Sequence, residues 1–155
     1  MRPTVQHYVK TVLDKHPIKG RVLEVGSMNI NGTIRHLFDG CEEYIGLDMR
    51  PGRGVDVVAK ADNIPYDDEY FECVICCDTL EHDDAFWESM GEMKRVLQKE
   101  GLLILSVPGI GFGVHEYPSD FWRFTPSAIE VMLKGLNNIE TWEGAQATVC
   151  GYGVK

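Results

Sequence analysis

Apolar residues recur along the chain either at spacings of three and four or in short continuous runs. The first pattern predicts helices and the second predicts buried strands. Val5, Tyr8, Val9 and Val12 recur at spacings of three and four, which predicts an amphipathic helix over residues 5–16. Short runs rich in β-branched residues predict buried strands at 21–25, 43–48, 55–59, 71–77 and 102–107. Helices are predicted between them at 33–38 and 84–98. Strands that alternate with helices predict an α/β fold with a mostly parallel sheet and helices on both faces.

The last third of the chain predicts a different connection. Thr125-Pro126 is typical of a helix start, and a helix with apolar positions at 129, 132, 133 and 136 follows. Strand-like segments at 139–143 and 147–152 are separated by one short turn, which predicts a closing antiparallel hairpin. We therefore expect one domain over residues 1–155, divided into an N-terminal helix (1–18), a core (19–109), a loop that acts as a lid (110–126), and a helix with the hairpin (127–155).

Charge and composition narrow the functional classes. The 155 residues include 15 Lys+Arg and 24 Asp+Glu, so the formal net charge is −9. This balance argues against proteins that bind nucleic acid or anionic membranes through a basic surface. The apolar runs are too short to span a bilayer, and five cysteines in a chain of ordinary composition favour a reduced, cytoplasmic protein. The oligomeric state stays open.

Polar residues that follow the predicted strands are the candidate binding residues. Ligands of parallel α/β sheets lie beyond the carboxyl ends of the strands. Glu24 and Gly26 end the first strand, and Asp48 follows Gly26 by 22 residues, a spacing suited to binding a ribose diol. Met49 could lie against an adenine ring. Gly26 and Gly32 have no glycine between them, so the phosphate-binding pattern of dinucleotide folds is missing and S-adenosylmethionine suits the loop better.

Several motifs resemble those of the class I S-adenosylmethionine-dependent methyltransferases. VLEVGS at 22–27 resembles the first motif of that family, and Asp48 matches its second-strand acid. NIPY at 63–66, FECVI at 71–75 and LEH at 80–82 resemble the LPF…FDVV…LEH block. MKRVL at 93–97 and GLLILSVP at 101–108 resemble its RVLKPGG-LLISVP segment. The resemblance covers about residues 19–109, with a looser echo at 117–126.

The resemblance implies a fold, a cofactor and a set of binding residues. The fold would be a Rossmann-like three-layer sandwich with a seven-stranded sheet in the order 3-2-1-4-5-7-6. S-adenosylmethionine would be bound by residues after four strands: Glu24, Gly26 and Ser27 at the methionine portion, Asp48 at the ribose, Met49, Ala61 and Asp62 at the adenine, and Asp78, Thr79 and Leu80 near the sulfonium. Met28 and Ile30 stand where the family usually has glycines, and Lys60 stands where many members carry an acid.

The resemblance implies methyl transfer to an acceptor that the motifs do not identify. Because most of the 155 residues belong to the scaffold, we expect a small-molecule acceptor or one held by a partner. His115 and Glu116 are the candidate general bases, and Tyr117, Asp120, Trp122 and Arg123 are candidate acceptor contacts in the lid. Asp120 and Arg123 could equally form a structural pair. Two alternatives remain open, namely an inactive nucleoside- or protein-binding module and a nicotinamide-dependent oxidoreductase.

No metal site is predicted. Cys73, Cys76 and Cys77, with His82 nearby, invite comparison with a zinc site. Cys73 and Cys76 are three apart on a predicted strand, so their side chains would point to opposite faces. Buried structural thiols are the favoured interpretation.

Overall fold

The computed structural model describes residues 1–115 and 119–155 and contains seven strands in one sheet. Its elements in chain order are α1 (Pro3–Lys15), β1 (Arg21–Val25), a 3₁₀ turn (Arg35–Phe38), β2 (Glu43–Asp48), β3 (Val57–Val58), β4 (Phe71–Cys77), a second 3₁₀ turn (Leu80–His82), α2 (Phe86–Val96), β5 (Leu97–Pro108), α3 (Pro126–Met132), β6 (Asn137–Gly144) and β7 (Thr148–Val154). The strand order β3-β2-β1-β4-β5-β7-β6 is the predicted one.

The pairing directions confirm the predicted α/β architecture. Strands β1 to β5 pair in parallel, whereas β7 pairs antiparallel with both β5 and β6. One core cluster includes Met93 of α2 and Ile129 of α3, and the other includes Val9 of α1. Helices therefore cover both faces of the sheet, which is the three-layer arrangement of a Rossmann-like fold.

The cysteines of β4 separate as expected. Cys76 belongs to the core cluster beneath α2 and α3, while Cys73 and Cys77 belong to the cluster beneath α1. All five cysteines are free. A zinc ion cannot be shared by Cys73 and Cys76 because the sheet lies between their side chains.

Several predicted boundaries were wrong for local reasons. The helix predicted over 33–38 shortens at its start to the 3₁₀ turn Arg35–Phe38. The Thr33 hydroxyl accepts the Arg35 N–H at 3.1 Å, and the Leu37 N–H donates to the Ile34 carbonyl three residues earlier. Strand β3 covers only Val57–Val58 instead of 55–59. The Asp56 carboxylate accepts the Gly46 N–H at 2.8 Å, which puts a side chain where a strand carbonyl would stand.

The helix predicted over 84–98 is shorter at both ends. Helix α2 covers Phe86–Val96, and Leu97 already has the extended backbone of β5. Leu97 is fully buried, so its apolar side chain fitted the helix pattern although the residue belongs to the strand. Asp83 stabilises the helix start by accepting the N–H of Ala85 at 3.0 Å.

No helix within the described ranges is long and apolar enough to cross a membrane.

The central strand β4 provides a test of where stability resides. Ile75 is fully buried, whereas Val131 on α3 is 72% exposed. We expect Ile75→Ala to lower the free energy of unfolding by about 2–5 kcal/mol, because the lost contacts leave a cavity that the sheet cannot close. Val131→Ala is the control and should change it by less than about 0.5 kcal/mol. Urea unfolding followed by circular dichroism measures both, and equal effects would contradict the assignment of β4 to the core.

Candidate active site

A cavity of about 790 Å³ lies at the carboxyl ends of the parallel strands. The residues that follow β1, β2, β3 and β4 line it, together with Arg2 before α1 and parts of the loop after β5. Nine of the ten predicted cofactor-binding residues are in the lining: Glu24, Gly26, Ser27, Asp48, Met49, Ala61, Asp62, Asp78 and Thr79. Leu80 is not, since its side chain is fully buried in the core cluster beneath α2.

The turn after β1 brings its backbone close to β4. Gly26 has a φ of +76°, and a Cβ at this position would collide with the side chain of Thr79. The N–H groups of Gly26 and Ser27 donate to the Leu47 carbonyl at 2.8 and 3.1 Å. The Ser27 hydroxyl is buried and has no hydrogen-bond partner in the described part of the chain. The Oγ packs against Gly46 of β2, where an added Cβ would lie 2.7 Å from it.

Met28 and Ile30 need not be glycines. Both residues line the cavity, and neither has a positive φ. In this loop, the backbone adopts positive φ at Gly26 and Gly32 only. The departure from the usual glycine pattern is therefore compatible with the backbone of this loop.

Glu24 is a nearly buried carboxyl at the floor of the cavity. It is 4% exposed, and the Tyr44 hydroxyl donates to its Oε2 at 2.8 Å. Burial raises the pKa of Glu24 to about 7, and the Tyr44 hydrogen bond and the nearby Arg35 guanidinium only partly offset that effect. A cationic ligand group would favour the ionised form of this carboxyl.

Asp48 and Met49 end the second strand. The Asp48 carboxylate accepts the N–H groups of Met28 at 3.2 Å and Arg50 at 3.1 Å. Each bond uses a different oxygen, so both retain acceptor capacity toward the cavity. Met49 is 56% exposed although it is apolar, which leaves a flat apolar surface beside the carboxylate.

Asp78 has a partner that the sequence analysis missed. The Arg2 guanidinium donates two hydrogen bonds to it, at 3.0 and 2.6 Å, and a third to Thr148 at 2.6 Å. The Ser106 hydroxyl adds a contact at 3.2 Å. The charge of Asp78 is thus already paired, and nothing in the spacing around Arg2 signals this role.

Charged residues connect the described parts of the loop after β5, the segment predicted as a lid. Arg123 donates two hydrogen bonds to Asp120, at 2.5 and 2.6 Å, and two more to the carbonyls of Phe112 and Gly113. This ion pair holds the pKa of Asp120 well below its usual range. Trp122 donates its Nε1–H to the Asp83 carbonyl at 2.8 Å. Asp120, Trp122 and Arg123 do not line the cavity, while Glu116 and Tyr117 lie outside the described residues.

His115 lines the cavity beside two residues that follow β4. Its Nε2 lies 3.5 Å from Oε1 of Glu81, and the Nε2 of His82 lies 3.8 Å from the same oxygen. Glu81 is 0% exposed to solvent. Neither of its carboxylate oxygens accepts a hydrogen bond from residues 1–115 or 119–155. Burial raises the pKa of Glu81 to about 8. In the sequence, Glu81 stands out only as part of the LEH motif at 80–82, and no binding role is predicted for it.

Comparisons with known proteins show the fold and the family of the chain. No curated protein matches the chain by sequence. Among solved structures, an S-adenosylmethionine-dependent methyltransferase from Thermotoga maritima aligns with a TM-score of 0.69 at 17% identity, covering 97% of this chain and 89% of the other. A similar enzyme from Aquifex aeolicus aligns with a TM-score of 0.71 at 15% identity, covering 94% and 88%.

A third structure contains ligands. The 1,6-didemethyltoxoflavin-N1-methyltransferase of Burkholderia thailandensis, solved with 1,6-didemethyltoxoflavin and S-adenosylhomocysteine, aligns with a TM-score of 0.75 at 13% identity, covering 97% of this chain and 77% of the other. These likenesses show the fold. The family model described as "Methyltransferase domain" matches residues 23–105, which is more than half of the chain. The chain therefore belongs to the methyltransferase-domain family, the class I S-adenosylmethionine-dependent methyltransferases.

Proposed function

We propose that this protein transfers a methyl group from S-adenosylmethionine to a small-molecule acceptor. The observation that carries the proposal is the cavity that gathers Glu24, Asp48 and Met49 at neighbouring strand ends. Its volume of about 790 Å³ falls within the range of small-molecule sites. Methyl transfer of this kind breaks the carbon–sulfur bond of the sulfonium, whose electron pair stays on sulfur.

The donor groups suit each part of the cofactor. Glu24 would face the cationic methionine portion, where an ammonium compensates its buried charge. The turn at Gly26 and Ser27 would lie beside the same portion. Asp48 would accept the two ribose hydroxyls, and Met49 would cover the adenine face beside Ala61 and Asp62.

The protein's main contribution would be alignment and exclusion of water. Charge disappears in methyl transfer from a sulfonium, so precise positioning matters more than charge stabilisation. Phe112, His115, Ser119 and Phe121 of the loop after β5 line the cavity, and the Arg123–Asp120 pair connects described parts of this loop. In the absence of a bound metal ion, His115 would be the candidate base that removes the proton of a hydroxyl or ammonium acceptor, with Glu116 as the other candidate.

A ligand titration tests cofactor binding. We expect isothermal calorimetry to show binding of S-adenosylhomocysteine and no binding of NAD, because the loop after β1 lacks a diphosphate cradle. Asp48→Asn should weaken S-adenosylhomocysteine binding by about 10- to 100-fold, as expected for the loss of a charged hydrogen-bond acceptor. Asp67→Asn, at an exposed position outside the cavity, is the matched control and should leave affinity unchanged. Binding of NAD in place of S-adenosylhomocysteine would contradict the proposal.

The buried carboxyl at the cavity floor predicts a pH dependence. Ionised Glu24 attracts the ligand ammonium and protonated Glu24 does not, so affinity should rise as the pH passes upward through about 7. We expect S-adenosylhomocysteine to bind about tenfold more tightly at about pH 8 than at about pH 6. Glu24→Gln should remove most of this slope. The variant retains Glu81, so a slope that persists unchanged would assign the effect to Glu81 and contradict the role of Glu24.

A further inference from the structure

Glu81, His82 and His115 bring three metal-ligating atoms to one wall of the cavity. One ligand atom from each lies within 4.8 Å of the other two. Both Nε2 atoms face Oε1 of Glu81, at 3.5 Å for His115 and 3.8 Å for His82. Ligands bonded to one metal ion at about 2.0–2.2 Å lie somewhat closer together than this, so small side-chain rotations would complete the site.

The other nitrogen of each imidazole is already occupied. His82 Nδ1 contacts the Ser119 carbonyl, an acceptor that requires Nδ1 to carry the proton. His115 Nδ1 lies 3.2 Å from Oδ2 of Asp120. These contacts leave the lone pair of each Nε2 directed toward Glu81. A carbonyl or carboxylate behind the distal nitrogen is the usual outer shell of a metal-bound histidine.

Glu81 provides an independent observation. Its side chain is 1% exposed, and both oxygens are unpartnered in the described ranges. A carboxyl buried without a donor carries a large desolvation cost, which a bound cation would offset. The guanidinium groups that approach it, Arg2 and Arg123, are each committed to an aspartate, Asp78 and Asp120. No described cation therefore neutralises Glu81.

We propose that Glu81, His82 and His115 bind one divalent transition-metal ion, which in turn binds the oxygen of a hydroxyl-bearing acceptor. Two imidazoles and one carboxylate are a donor set for Zn²⁺, Fe²⁺, Co²⁺ or Mn²⁺, whereas Mg²⁺ and Ca²⁺ prefer oxygen ligands. Three protein ligands leave coordination positions open toward the cavity.

The metal would select the acceptor and activate it. A hydroxyl bound to a divalent ion loses its proton to solvent more readily, and its oxygen then forms the bond to the methyl carbon. In this arrangement His115 holds the ion instead of acting as the base. The acceptor class rests on the proposed methyl transfer; the metal site does not.

Cobalt titration tests the site without requiring turnover. Co²⁺ added to the reduced protein should bind at one site by calorimetry and give a visible spectrum typical of nitrogen and oxygen ligands. Glu81→Gln and His82→Gln should each weaken Co²⁺ binding at least about tenfold. His36→Gln replaces an exposed histidine outside the cavity and should bind Co²⁺ like the unmodified protein.

Binding of S-adenosylhomocysteine separates the two proposals. Retained S-adenosylhomocysteine binding by Glu81→Gln shows that the variant is folded, and His115→Gln, whose side chain is 39% exposed, repeats the test where folding is less sensitive. Absence of Co²⁺ binding, equal binding by the variants, or a thiolate charge-transfer band would overturn the metal site. If the unmodified protein does not bind S-adenosylhomocysteine but does bind Co²⁺, the proposed function is overturned and the metal site is not.

Discussion

Burial of the central strands on both faces decides where this protein can place polar chemistry. Side chains of β4 alternate between two core clusters, and Val74 and Ile75 are both fully buried although they point in opposite directions. A polar side chain in the middle of such a strand would lack a partner on either face. Polar groups therefore follow at the carboxyl ends, where Glu24, Asp48 and Asp78 meet around one cavity. The site is a consequence of the packing as much as of the motifs.

Three carboxyl groups near this edge show how local partners decide charge. Asp120 is paired with Arg123, and its pKa is lowered. Glu24 receives only a hydroxyl donor from Tyr44, and burial raises its pKa to about 7. Glu81 has no described donor, and its pKa rises further, to about 8. The pKa of each carboxyl group is thus set by its neighbours: a guanidinium lowers it at Asp120, and burial raises it at Glu24 and Glu81.

Periodicity and turn residues predicted the fold well because a buried parallel sheet leaves a strong pattern. The apolar run at 71–77 coincides with β4, and the short spacing between 143 and 147 correctly indicated a hairpin. The pattern does not show where a side chain takes the place of a backbone hydrogen-bond acceptor, as the Asp56 carboxylate does beside β3. Helix and strand were also confused at Leu97, since burial demands an apolar residue in either element.

A residue of the cavity could be predicted from the sequence only where its position directly after a strand was enough to place it there. Asp48 is such a residue, because its position at the end of β2 is enough to place it in the cavity lining. Arg2 and Glu81 do not qualify, because their roles depend on contacts between segments far apart in the chain, such as the 2.6 Å approach of Arg2 to Asp78. Tertiary contacts of this kind leave no periodicity to detect.

Residues of the loop after β5 position a residue of the cavity lining although they do not line the cavity themselves. Arg123 fixes Asp120, and Asp120 accepts the backbone N–H of His115 at 2.7 Å while its Oδ2 lies 3.2 Å from Nδ1 of the same residue. Asp120 therefore sets both the position of His115 and the nitrogen that it presents to Glu81. Asp120 and Arg123 form an ion pair outside the cavity, and the pair contacts the cavity lining through His115. Two acceptor contacts from one carboxylate, to the backbone N–H and to the ring of the same residue, restrict the rotation of this imidazole.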